Sequence, residues 1–399
     1  MNPSVQKKRI LIINQHFSTG GIKKSLETLL PVLMKDYDVK VLLLCGSTDE
    51  FDKRFPGIRI NSPFVISSAL SSLKDNKTMN CSFLRVSIKI LFCLFSRFIK
   101  TERLVHFCIS ISRNLGSYDA VISYAHDNWS DNGDFFGGGN YLAIKKTSSA
   151  NKISWVHGEP ATIGLNKERL FSTYSAFNNV VAVSDAVKKQ FEDLSEGRIV
   201  CTRIYNLMDI ATIKEKSEST VYEEKDPLCF RIVTVGRLSK VAKRIDKVNE
   251  IAKKLKNSGY QFKWTVVGGG SEFESCVRIA NEYKLENFVE YVGDQDNPYK
   301  FMKRSDLFVL VSDTEAMPLV LNEALIVGTP VVTTDFAAAK ESVIDGITGF
   351  ITEKDVDSLY RIIAYCIDNP ETLKEMRFNI TQHPYSNNAA VQTIRQMVG

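Results

Sequence analysis

The sequence lacks two features that would narrow its function at once. Its cysteines form no Cys-x-x-Cys pair, and several lie inside apolar runs, which indicates buried free thiols in a reducing compartment. Lysine and arginine are scattered rather than collected in blocks, and the formal net charge is only +5. We therefore expect a cytoplasmic protein that binds no nucleic acid.

A dinucleotide-binding fingerprint is also missing, although the chain opens in a related way. The short apolar run at 10–13 predicts a first strand rather than a secretory signal. A polar loop over 14–21 with adjacent Gly20 and Gly21 follows it, then a predicted helix over 22–35 and a strand over 39–45. No Gly-x-Gly-x-x-Gly is present. The glycines either let the backbone approach a ligand closely or form a tight turn.

The most informative stretch is residues 306–335. An apolar strand at 307–311 leads into a polar loop from Ser312 to Glu315, and Pro318 and Gly328 suit the two ends of a helix over about 318–327. A second strand begins at 331, so the stretch predicts a βαβ unit of a parallel sheet. In such sheets ligands bind at the carboxyl ends of the strands, which is where this polar loop lies.

Two carboxylates, Glu315 and Glu323, stand eight positions apart in this unit. The free amides at the helix start would face an anion such as a diphosphate. Glu323 could accept hydrogen bonds from both hydroxyls of a ribose, and Glu315 could reach sugar hydroxyls beyond the phosphates. On spacing alone, both glutamates could equally be solvated residues.

The segments TEAMPLVLNEALIVGTPVV and FAAAKESVIDGITGF resemble the signature of glycosyltransferase family 4, whose members are retaining enzymes of the GT-B fold. The resemblance implies an α/β protein with two Rossmann-like domains that face each other across a cleft and a C-terminal helix that crosses back to the first domain. We expect an acceptor-binding domain over 1–208, a donor-binding domain over 209–385 and the crossing helix over 386–399.

The resemblance also implies roles for particular residues. The family's Glu-x7-Glu element maps onto Glu315 and Glu323, and its phosphate-binding Arg–Lys pair maps onto Arg237 and Lys243. A family histidine that contacts the donor sugar maps onto His157. Arg244 departs from the pattern, because glycine is more usual there. The expected donor-binding set is Gly20, Gly21, Arg237, Lys243, Glu315, Ala316, Met317, Pro318, Leu319 and Glu323, with His157, Glu315, Arg237 and Lys243 expected to take part in catalysis.

No metal site is expected. Asp294 and Asp296 form an Asp-x-Asp, but they follow a strand in a domain whose phosphate contacts are already supplied, so we interpret them as helix-capping loop residues. Fixed cations and a helix start can stabilise a leaving diphosphate without a metal. The predicted enzyme therefore needs no metal or other cofactor.

Residues 81–100 combine four cations, Arg85, Lys89, Arg97 and Lys100, with bulky apolar side chains and contain no acidic residue. The apolar run within them is too short to span a bilayer, which takes about 20 residues. A basic, aromatic-rich helix can lie on an anionic membrane surface. It can equally be a core helix that packs against a sheet.

The resemblance implies transfer of a hexose or N-acetylhexosamine from a nucleoside-diphosphate sugar, UDP above all, to a glycan or lipid-linked acceptor. Bacterial members of the resembled family make capsule, O-antigen or exopolysaccharide. Three alternatives stay open at this point: the same fold acting on a soluble small-molecule acceptor, a nucleotide-sugar-binding protein without catalysis, and an inverting enzyme of the GT-B fold. Peripheral contact with the inner leaflet through 81–100 would suit a lipid-linked acceptor.

Overall fold

The computed structural model describes residues 7–18, 20–130, 134–219, 229–239 and 243–399. The chain divides into two compact units. The first extends to Leu207 and also takes in Asn388–Gly399, and the second is Met208–Asn387. Each unit is described by itself.

The first unit is built on a parallel sheet that contains seven strands among the described residues, in the order β3-β2-β1-β4-β7-β8-β9. The remaining two strands, β5 and β6, pair as an antiparallel hairpin. The strands of this unit are β1 (Arg9–Asn14), β2 (Asp38–Leu43), β3 (Arg59–Ile60), β4 (Ala120–Ser123), β5 (Asn128–Trp129), β6 (Phe135–Phe136), β7 (Asn151–Val156), β8 (Asn179–Ala182) and β9 (Cys201–Arg203).

Helices connect these strands. They are α1 (Gly21–Asp36), α2 (Asp49–Arg54), α3 (Phe64–Leu70), α4 (Leu73–Thr78), α5 (Ser82–Phe95), α6 (Thr101–Ser110), α7 (Gly139–Lys146), α8 (Lys167–Tyr174) and α9 (Asp185–Leu194). Central strands such as β1, with Ile10 to Ile13 fully buried, read as continuous apolar runs because both faces of a parallel sheet are covered.

The second unit repeats the plan with a six-stranded parallel sheet in the described residues, ordered β12-β11-β10-β13-β14-β15. Its strands are β10 (Phe230–Val235), β11 (Phe262–Val267), β12 (Val289–Gly293), β13 (Leu307–Leu310), β14 (Val331–Thr334) and β15 (Gly349–Thr352). Its helices are α10 (Ile210–Glu218), α11 (Asp246–Asn257), α12 (Phe273–Glu282), α13 (Tyr299–Arg304), α14 (Leu319–Ile326), α15 (Ala339–Ser342), α16 (Val356–Asp368) and α17 (Pro370–Gln382).

Trp264 on β11 lies fully buried in the core of the second unit. Its indole Nε1 donates to Thr234 Oγ1 at 3.0 Å, and that hydroxyl donates to the backbone oxygen of Val309 at 2.7 Å. A buried polar group is costly unless it is paired, so this chain of bonds fixes β11, β10 and β13 against one another. These are the strands whose ends carry the candidate site.

The C-terminal helix α18 (Asn388–Val398) belongs to the first unit. Asn151 Nδ2, at the start of β7, donates to the backbone oxygen of Met397 at 2.8 Å, and Arg395 pairs with Asp36 at the end of α1 at 2.8 Å. The predicted return of the last helix to the first domain is thus confirmed.

The strands and helices named from the sequence are present, with shifts of one or two residues at their ends. The helix predicted over 318–327, for example, is α14, which begins one residue later and ends one residue earlier. From their sequence, residues 204–209 are interpreted as the end of the first domain's last strand, but they follow β9 rather than continue it. The stretch 211–227 is charged and lacks apolar periodicity, which indicates a connection between domains. It forms α10 over its described first part, and residues 220–228 lie outside the described residues.

Candidate functional site

The strand order of the second unit reverses between β10 and β13. The chain builds outward from β10 to β11 and β12, then crosses back to place β13 on the other side of β10. In parallel sheets of this kind ligands bind beyond the carboxyl ends of the strands at such a reversal. The segments that leave β10 and β13 there carry Arg237, Lys243 and Glu315.

Arg237 and Lys243 flank the end of β10. Arg237 is exposed. The side chain of Lys243 packs over the backbone of Gly236, which precedes Arg237. Lys243 Cε lies 4.0 Å from the position that a Cβ would take on Gly236. Both cations therefore lie near the carboxyl end of β10, and their binding of a phosphate stays a prediction.

Lys243 and Glu315 contact each other directly. Nζ of Lys243 forms an ion pair with Oε1 of Glu315, and Ser312 Oγ donates to the same oxygen at 2.8 Å. The exposed fractions of the two charged side chains are only 24% and 13%. Ser312 is held in turn, since Thr334 Oγ1 donates to its backbone oxygen. The structure thus brings the predicted phosphate-binding lysine and the predicted sugar-binding carboxylate together.

Arg244 has a backbone φ of +45°, in the left-handed region that favours glycine. For a residue with a Cβ this conformation costs about 1–2 kcal/mol. Its guanidinium donates to Asp313 Oδ2 at 2.8 Å and to the two carboxylate oxygens of Asp246 at 3.2 and 3.1 Å. The chain therefore keeps the backbone typical of glycine at this position, and the ion pairs of the arginine offset the strain.

Asp313 receives a second cation. Lys247 Nζ donates to Asp313 Oδ1 at 2.6 Å, and the lysine side chain is only 5% exposed. Partial burial raises the pKa of Asp313, but hydrogen bonds from Lys247 and Arg244 outweigh it and the pKa is lowered overall. Sequence reasoning did not find Lys247 or Asp313. Asp313 lies in the polar loop that the sequence indicated as a ligand site, but nothing assigned it a role, and the signal for its partners was the unusual arginine at 244.

The glycine turn after β11 closes the other side of the site. A Cβ on Gly268 would lie 2.0 Å from the backbone oxygen of Gly236, so only glycine fits there. Gly269 N donates to Asp294 Oδ1 at 2.7 Å. Asp294 thus holds this turn and does not cap α13, whose N-cap residue is Pro298. The helix-capping interpretation of Asp294 and Asp296 is wrong.

Over the described parts of the chain, no group of three histidine, cysteine or acidic side chains could hold a metal ion. Asp296 is exposed and Asp294 is engaged by the glycine turn. The Asp-x-Asp therefore does not come together as a ligand pair with a third residue.

Helix α14 begins directly after the loop 311–318 that follows β13, which is called the donor loop below. Met317, Pro318 and Leu319 are buried, and Ala316 is half-buried. Glu323, in the second turn, is only 1% exposed. From the sequence alone, Glu323→Ala would be expected to leave the fold intact; because the carboxylate is enclosed within the second unit, that expectation is wrong.

In the first unit, His157 directly follows β7. Its backbone N–H donates to His126 Nδ1 at 3.2 Å, and its ring packs edge-on against Tyr124 with centroids 4.8 Å apart. The ring also hydrogen-bonds to the backbone of Tyr124. Its Nε2 is buried and has no hydrogen-bond partner among the described residues. Burial, with a contribution from His126, lowers the pKa of His157 to about 3.

The surroundings of His157 are tightly packed. A Cβ on Gly158 would lie 2.3 Å from Ile163 Cγ2 and 3.1 Å from His126 Nε2, so position 158 requires glycine. Burial lowers the pKa of His126 to about 4. Next to it, the buried Asp127 accepts hydrogen bonds from Gly138 N at 2.7 Å and Asn140 Nδ2 at 3.1 Å, and burial raises its pKa to about 6.

Gly20 and Gly21 mark the start of α1. Gly20 precedes the helix with φ +131°, and Gly21 is its first residue. A Cβ on Gly20 would meet no heavy atom within 4 Å among the described residues, so glycine is needed there for the backbone conformation rather than for space. The first turn of α1 contains no acidic residue. The contact of Gly20 and Gly21 with donor phosphates stays a prediction.

Helix α5 is not a core helix, because none of its residues is fully buried. Its apolar side chains lie outward on one face, at positions seven and eleven residues apart, and the face continues past its end to residues 98 and 99. Their exposed fractions reach 87% for Phe83 and 88% for Phe98. The exposed apolar face consists of Phe83, Leu84, Ile90, Leu91, Leu94, Phe95, Phe98 and Ile99.

Two of the four cations of this segment do not lie on that face. Arg85 donates to Ser67 Oγ at 3.0 Å and Ser68 Oγ at 3.2 Å, and Lys89 donates to the backbone oxygen of Ala69 at 2.9 Å. They tie α5 to α3, whereas Arg97 and Lys100 are exposed. In the part of the chain that the structure describes, no helix combines the length and apolar content needed to cross a bilayer.

Known proteins resemble this chain in sequence and in fold. The family described as glycosyl transferases group 1 matches residues 214–383. A Campylobacter jejuni N-acetylgalactosamine-N,N'-diacetylbacillosaminyl-diphospho-undecaprenol 4-alpha-N-acetylgalactosaminyltransferase is 25% identical over an alignment of 368 residues, gaps included, that covers 88% of this chain and 87% of that protein. The N-acetyl-alpha-D-glucosaminyl L-malate synthase of Bacillus anthracis is 27% identical over 222 residues, 53% of this chain and 57% of that enzyme.

The solved structure of Anabaena HepE in complex with UDP matches 98% of this chain and 99% of its own, with a TM-score of 0.68 and 18% sequence identity. That likeness shows the fold, two units each with a parallel sheet, and the matched family lies on the unit that carries Arg237, Lys243, Glu315 and Glu323. Residues 214–383 match the glycosyl transferases group 1 family, and the chain is a glycosyltransferase of the GT-B type.

Proposed function

We propose that this protein transfers a hexose or N-acetylhexosamine from a UDP-sugar to a glycan or lipid-linked acceptor, with retention at the anomeric carbon. The observation that carries the proposal is the ion pair of Lys243 with Glu315 at the strand-order reversal of the second unit, where Arg237 follows β10. The UDP bound to HepE, a protein of the same fold, supports UDP as the nucleotide.

The two cations would bind the leaving diphosphate. Arg237 offers a planar fork of donors and Lys243 a point charge. Helix α14 adds a partial positive charge of roughly half a unit at its N-terminus, next to the donor loop. These charges come close to balancing a diphosphate that leaves with two to three negative charges, so the proposed reaction needs neither a divalent metal nor another cofactor.

The remaining residues would hold the nucleoside and the sugar. Glu323 is assigned to the ribose hydroxyls and Glu315 to hydroxyls of the transferred sugar, with the backbone of Ala316 to Leu319 facing the phosphates. His157 is assigned to the transferred sugar, and its buried, unpartnered Nε2 supports that assignment. The low pKa of His157 keeps the ring neutral, so Nε2 can accept a hydrogen bond from a hydroxyl at pH 7.

A lipid-linked acceptor is supported by the Campylobacter jejuni relative, whose name specifies a diphospho-undecaprenol acceptor and which matches along most of the chain. By this proposal the protein acts in the synthesis of a surface polysaccharide such as capsule, O-antigen or exopolysaccharide. Such an acceptor presents its glycan at a membrane surface, so the enzyme must work there.

The exposed apolar face of α5 supports peripheral contact with the cytoplasmic face of the inner membrane. Eight large apolar side chains point outward over residues 83–99, and Arg97 and Lys100 lie exposed at one end of the face. An exposed apolar face bordered by cations matches the boundary between anionic headgroups and acyl chains. The inward bonds of Arg85 and Lys89 hold the helix so that this face stays outward.

A soluble acceptor is the second candidate. The Bacillus anthracis relative is named for a malate product, and its match also covers about half of this chain. The exposed face of α5 favours the membrane-linked acceptor, because a small soluble acceptor gives no reason to expose eight large apolar side chains.

A panel of sugar nucleotides tests the proposal. Wild-type protein is assayed for protection against thermal unfolding and for donor hydrolysis, with UDP, UDP-hexoses and UDP-N-acetylhexosamines compared with GDP and ADP sugars. Product from lipid-linked and soluble acceptors is compared with the best donor, and its anomeric configuration is read by NMR. Protection by UDP-sugars with an α-linked product supports the proposal. Binding without hydrolysis or transfer to any acceptor would indicate a non-catalytic binding protein.

A further inference from the structure

Two separate sets of ionic contacts join the segment after β10 to the loop after β13. The first is the pair between Lys243 and Glu315. The second links Asp313 to Arg244 and Lys247 at 2.8 and 2.6 Å. Both sets therefore act on residues 312–315, the loop that carries the carboxylate assigned to the transferred sugar.

The two sets differ in what a donor would do to them. A diphosphate that binds Lys243 competes with Glu315 for the same ammonium group, because both are anions. Asp313 stands apart from that competition. Its partner Lys247 is almost fully buried, and its partner Arg244 is held from behind by both carboxylate oxygens of Asp246.

The chain retains this second set despite backbone strain. Arg244 adopts φ +45°, where a glycine would be free of strain but would offer no side chain to Asp313. Asp246, the first residue of α11, fixes the guanidinium, so Nη1 is aimed at Asp313. A strained residue that persists is one whose surroundings hold it, which is common near functional sites.

We propose that Asp313 is a positioning residue. Arg244 and Lys247 hold it so that the 312–315 loop stays in place while Lys243 exchanges Glu315 for the donor's diphosphate. The released Glu315 carboxylate then accepts hydrogen bonds from the sugar hydroxyls, and Ser312, still fixed through Thr334, keeps its direction. This inference rests on the proposed transfer from a UDP-sugar, and it concerns the order in which that site exchanges its contacts.

The proposal separates nucleotide binding from turnover. By the proposed function UDP binding depends on Arg237, Lys243 and Glu323, whereas Asp313 is held by Arg244 and Lys247. Placement of the sugar against Glu315 depends on the loop that Asp313 holds. Loss of the Asp313 contacts should therefore lower kcat for the UDP-sugar more than it weakens affinity for UDP.

Two variants test this independently. Asp313→Asn keeps the shape and removes the charge, and Arg244→Gly removes the guanidinium while relieving the strained backbone. The matched control is Asp357→Asn, which breaks a comparable 2.7 Å pair with Lys254 on an exposed surface of the same unit. For each, kcat and KM for the best UDP-sugar, the Kd for UDP by calorimetry and Tm are measured.

We expect each loop variant to lose about tenfold or more in kcat, with the Kd for UDP changed less than threefold and the control unchanged; tenfold corresponds to about 1.4 kcal/mol. The double variant should lose little more than either single variant, because both break the same contact. Asp313→Glu should recover part of the lost turnover, since it restores the charge.

Unchanged kcat in Arg244→Gly would overturn the proposal, even if Asp313→Asn failed to fold. A rise in the Kd for UDP by the same factor as the fall in kcat, together with a lowered Tm, would also overturn it, because such a result would show a merely structural role. Failure of the proposed function looks different: the wild-type protein would then show no affinity for UDP and no transfer, and Lys243→Ala would change nothing.

Discussion

Lys243 Nζ forms an ion pair with Glu315 Oε1, so the cation assigned to the leaving diphosphate is neutralised by the carboxylate assigned to the sugar. Neither charge is exposed to water to any large extent. A donor must therefore provide an anion for the lysine and hydroxyls for the glutamate at the same time. A full sugar nucleotide does both, whereas a nucleoside diphosphate alone leaves Glu315 without its new partners.

The first prediction concerns metal-independent transfer. Lys243→Ala removes one of the two cations at the leaving group, and its effect should grow as charge develops on the diphosphate. We expect a loss of about 100- to 1,000-fold in kcat, which is the cost of losing one fixed donor to an oxyanion. The measurement is initial transfer rate with the best UDP-sugar, in the presence and absence of EDTA.

The control for this variant is Lys254→Ala, which removes an exposed lysine of the same unit that pairs with Asp357. It should leave kcat unchanged, and EDTA should leave the wild-type rate unchanged. An enzyme abolished by EDTA and restored by manganese would contradict metal independence. A Lys243→Ala variant with wild-type turnover would contradict the role of the cation.

The second prediction concerns Glu323. Because its side chain is only 1% exposed, Glu323→Gln, which keeps the volume, is the informative change. An amide offers one neutral acceptor oxygen in place of two charged ones, and its NH2 group only donates, so the hydrogen bonds from the two ribose hydroxyls are weakened. We expect the Kd for UDP to rise about tenfold, measured by calorimetry, while pyrophosphate, which has no ribose, binds as before.

Glu323→Ala adds a cavity to that loss, and we expect it to lower Tm by several degrees where Glu323→Gln changes Tm little. If Glu323→Gln binds UDP with wild-type affinity, the carboxylate does not hold the ribose. A fall in Tm in the glutamine variant as large as in the alanine variant would show that Glu323 is needed mainly for packing.

How far the sequence predicts this site depends on how local each signal is. The path from β13 to α14 was predictable because an apolar run, a helix-starting proline and Gly328 lie close together in sequence. Asp313 was not, since its partners are 66 and 69 positions away and only the sheet order brings them near. Arg244 is intermediate: the sequence marked it as unusual, and the left-handed backbone supplies the reason.

The segment 81–100 shows a different limit. Its composition fits both a core helix and a surface helix, because either one needs an apolar face. Nothing in the sequence distinguishes the four cations of the segment. In the structure two of them, Arg85 and Lys89, bond inward to α3, whereas Arg97 and Lys100 are exposed. The direction of a side chain on a helix depends on which neighbour the helix packs against, which composition does not contain.

The third prediction is an acid-sensitive first unit. His157 has a pKa lowered to about 3 by burial, against an ordinary value near 6.5. Between these values the unfolded chain binds the proton that the folded chain refuses, so stability is fully present above pH 6.5 and falls as the pH drops towards 3. At 1.36 kcal/mol for each pH unit, His157 would account for about 3 kcal/mol by pH 4.

His157→Gln should flatten this dependence, measured as the free energy of urea unfolding from pH 7.5 to pH 4 relative to the wild type. The variant is compared with the wild type because both proteins contain the neighbouring Asp127, whose pKa is raised to about 6. This shift makes stability rise as the pH falls below 6, opposite to the effect of His157, and it cancels in the comparison. His383→Gln, at an exposed position after α17, serves as control. Parallel curves for wild type and His157→Gln would contradict the assigned burial of this ring.

The fourth prediction concerns membrane binding by the exposed apolar face of α5. The pair Arg97→Gln and Lys100→Gln should weaken binding to anionic vesicles, because each cation near such a surface contributes about 1 kcal/mol. Two of them correspond to roughly a 30-fold loss in partition coefficient. Vesicles of phosphatidylglycerol and phosphatidylethanolamine in flotation, at low and at high salt, provide the measurement.

Phe83→Ser with Phe98→Ser tests the apolar part of the same face, and its effect should persist at high salt, where the cation effect is screened. Helix α17 offers the matched control, Lys374→Gln with Phe378→Ser, since it also carries an exposed cation and an exposed phenylalanine, here 71% and 64% exposed. That variant should float with the vesicles like the wild type.

If the wild type stays out of the floating fraction and is instead a dimer that Phe83→Ser with Phe98→Ser dissociates, a second copy covers this face and the membrane proposal fails. Flotation of the wild type that the α5 changes reduce and the α17 changes do not would place the lipid surface on α5, because the two control substitutions remove the same chemistry from another part of the molecule.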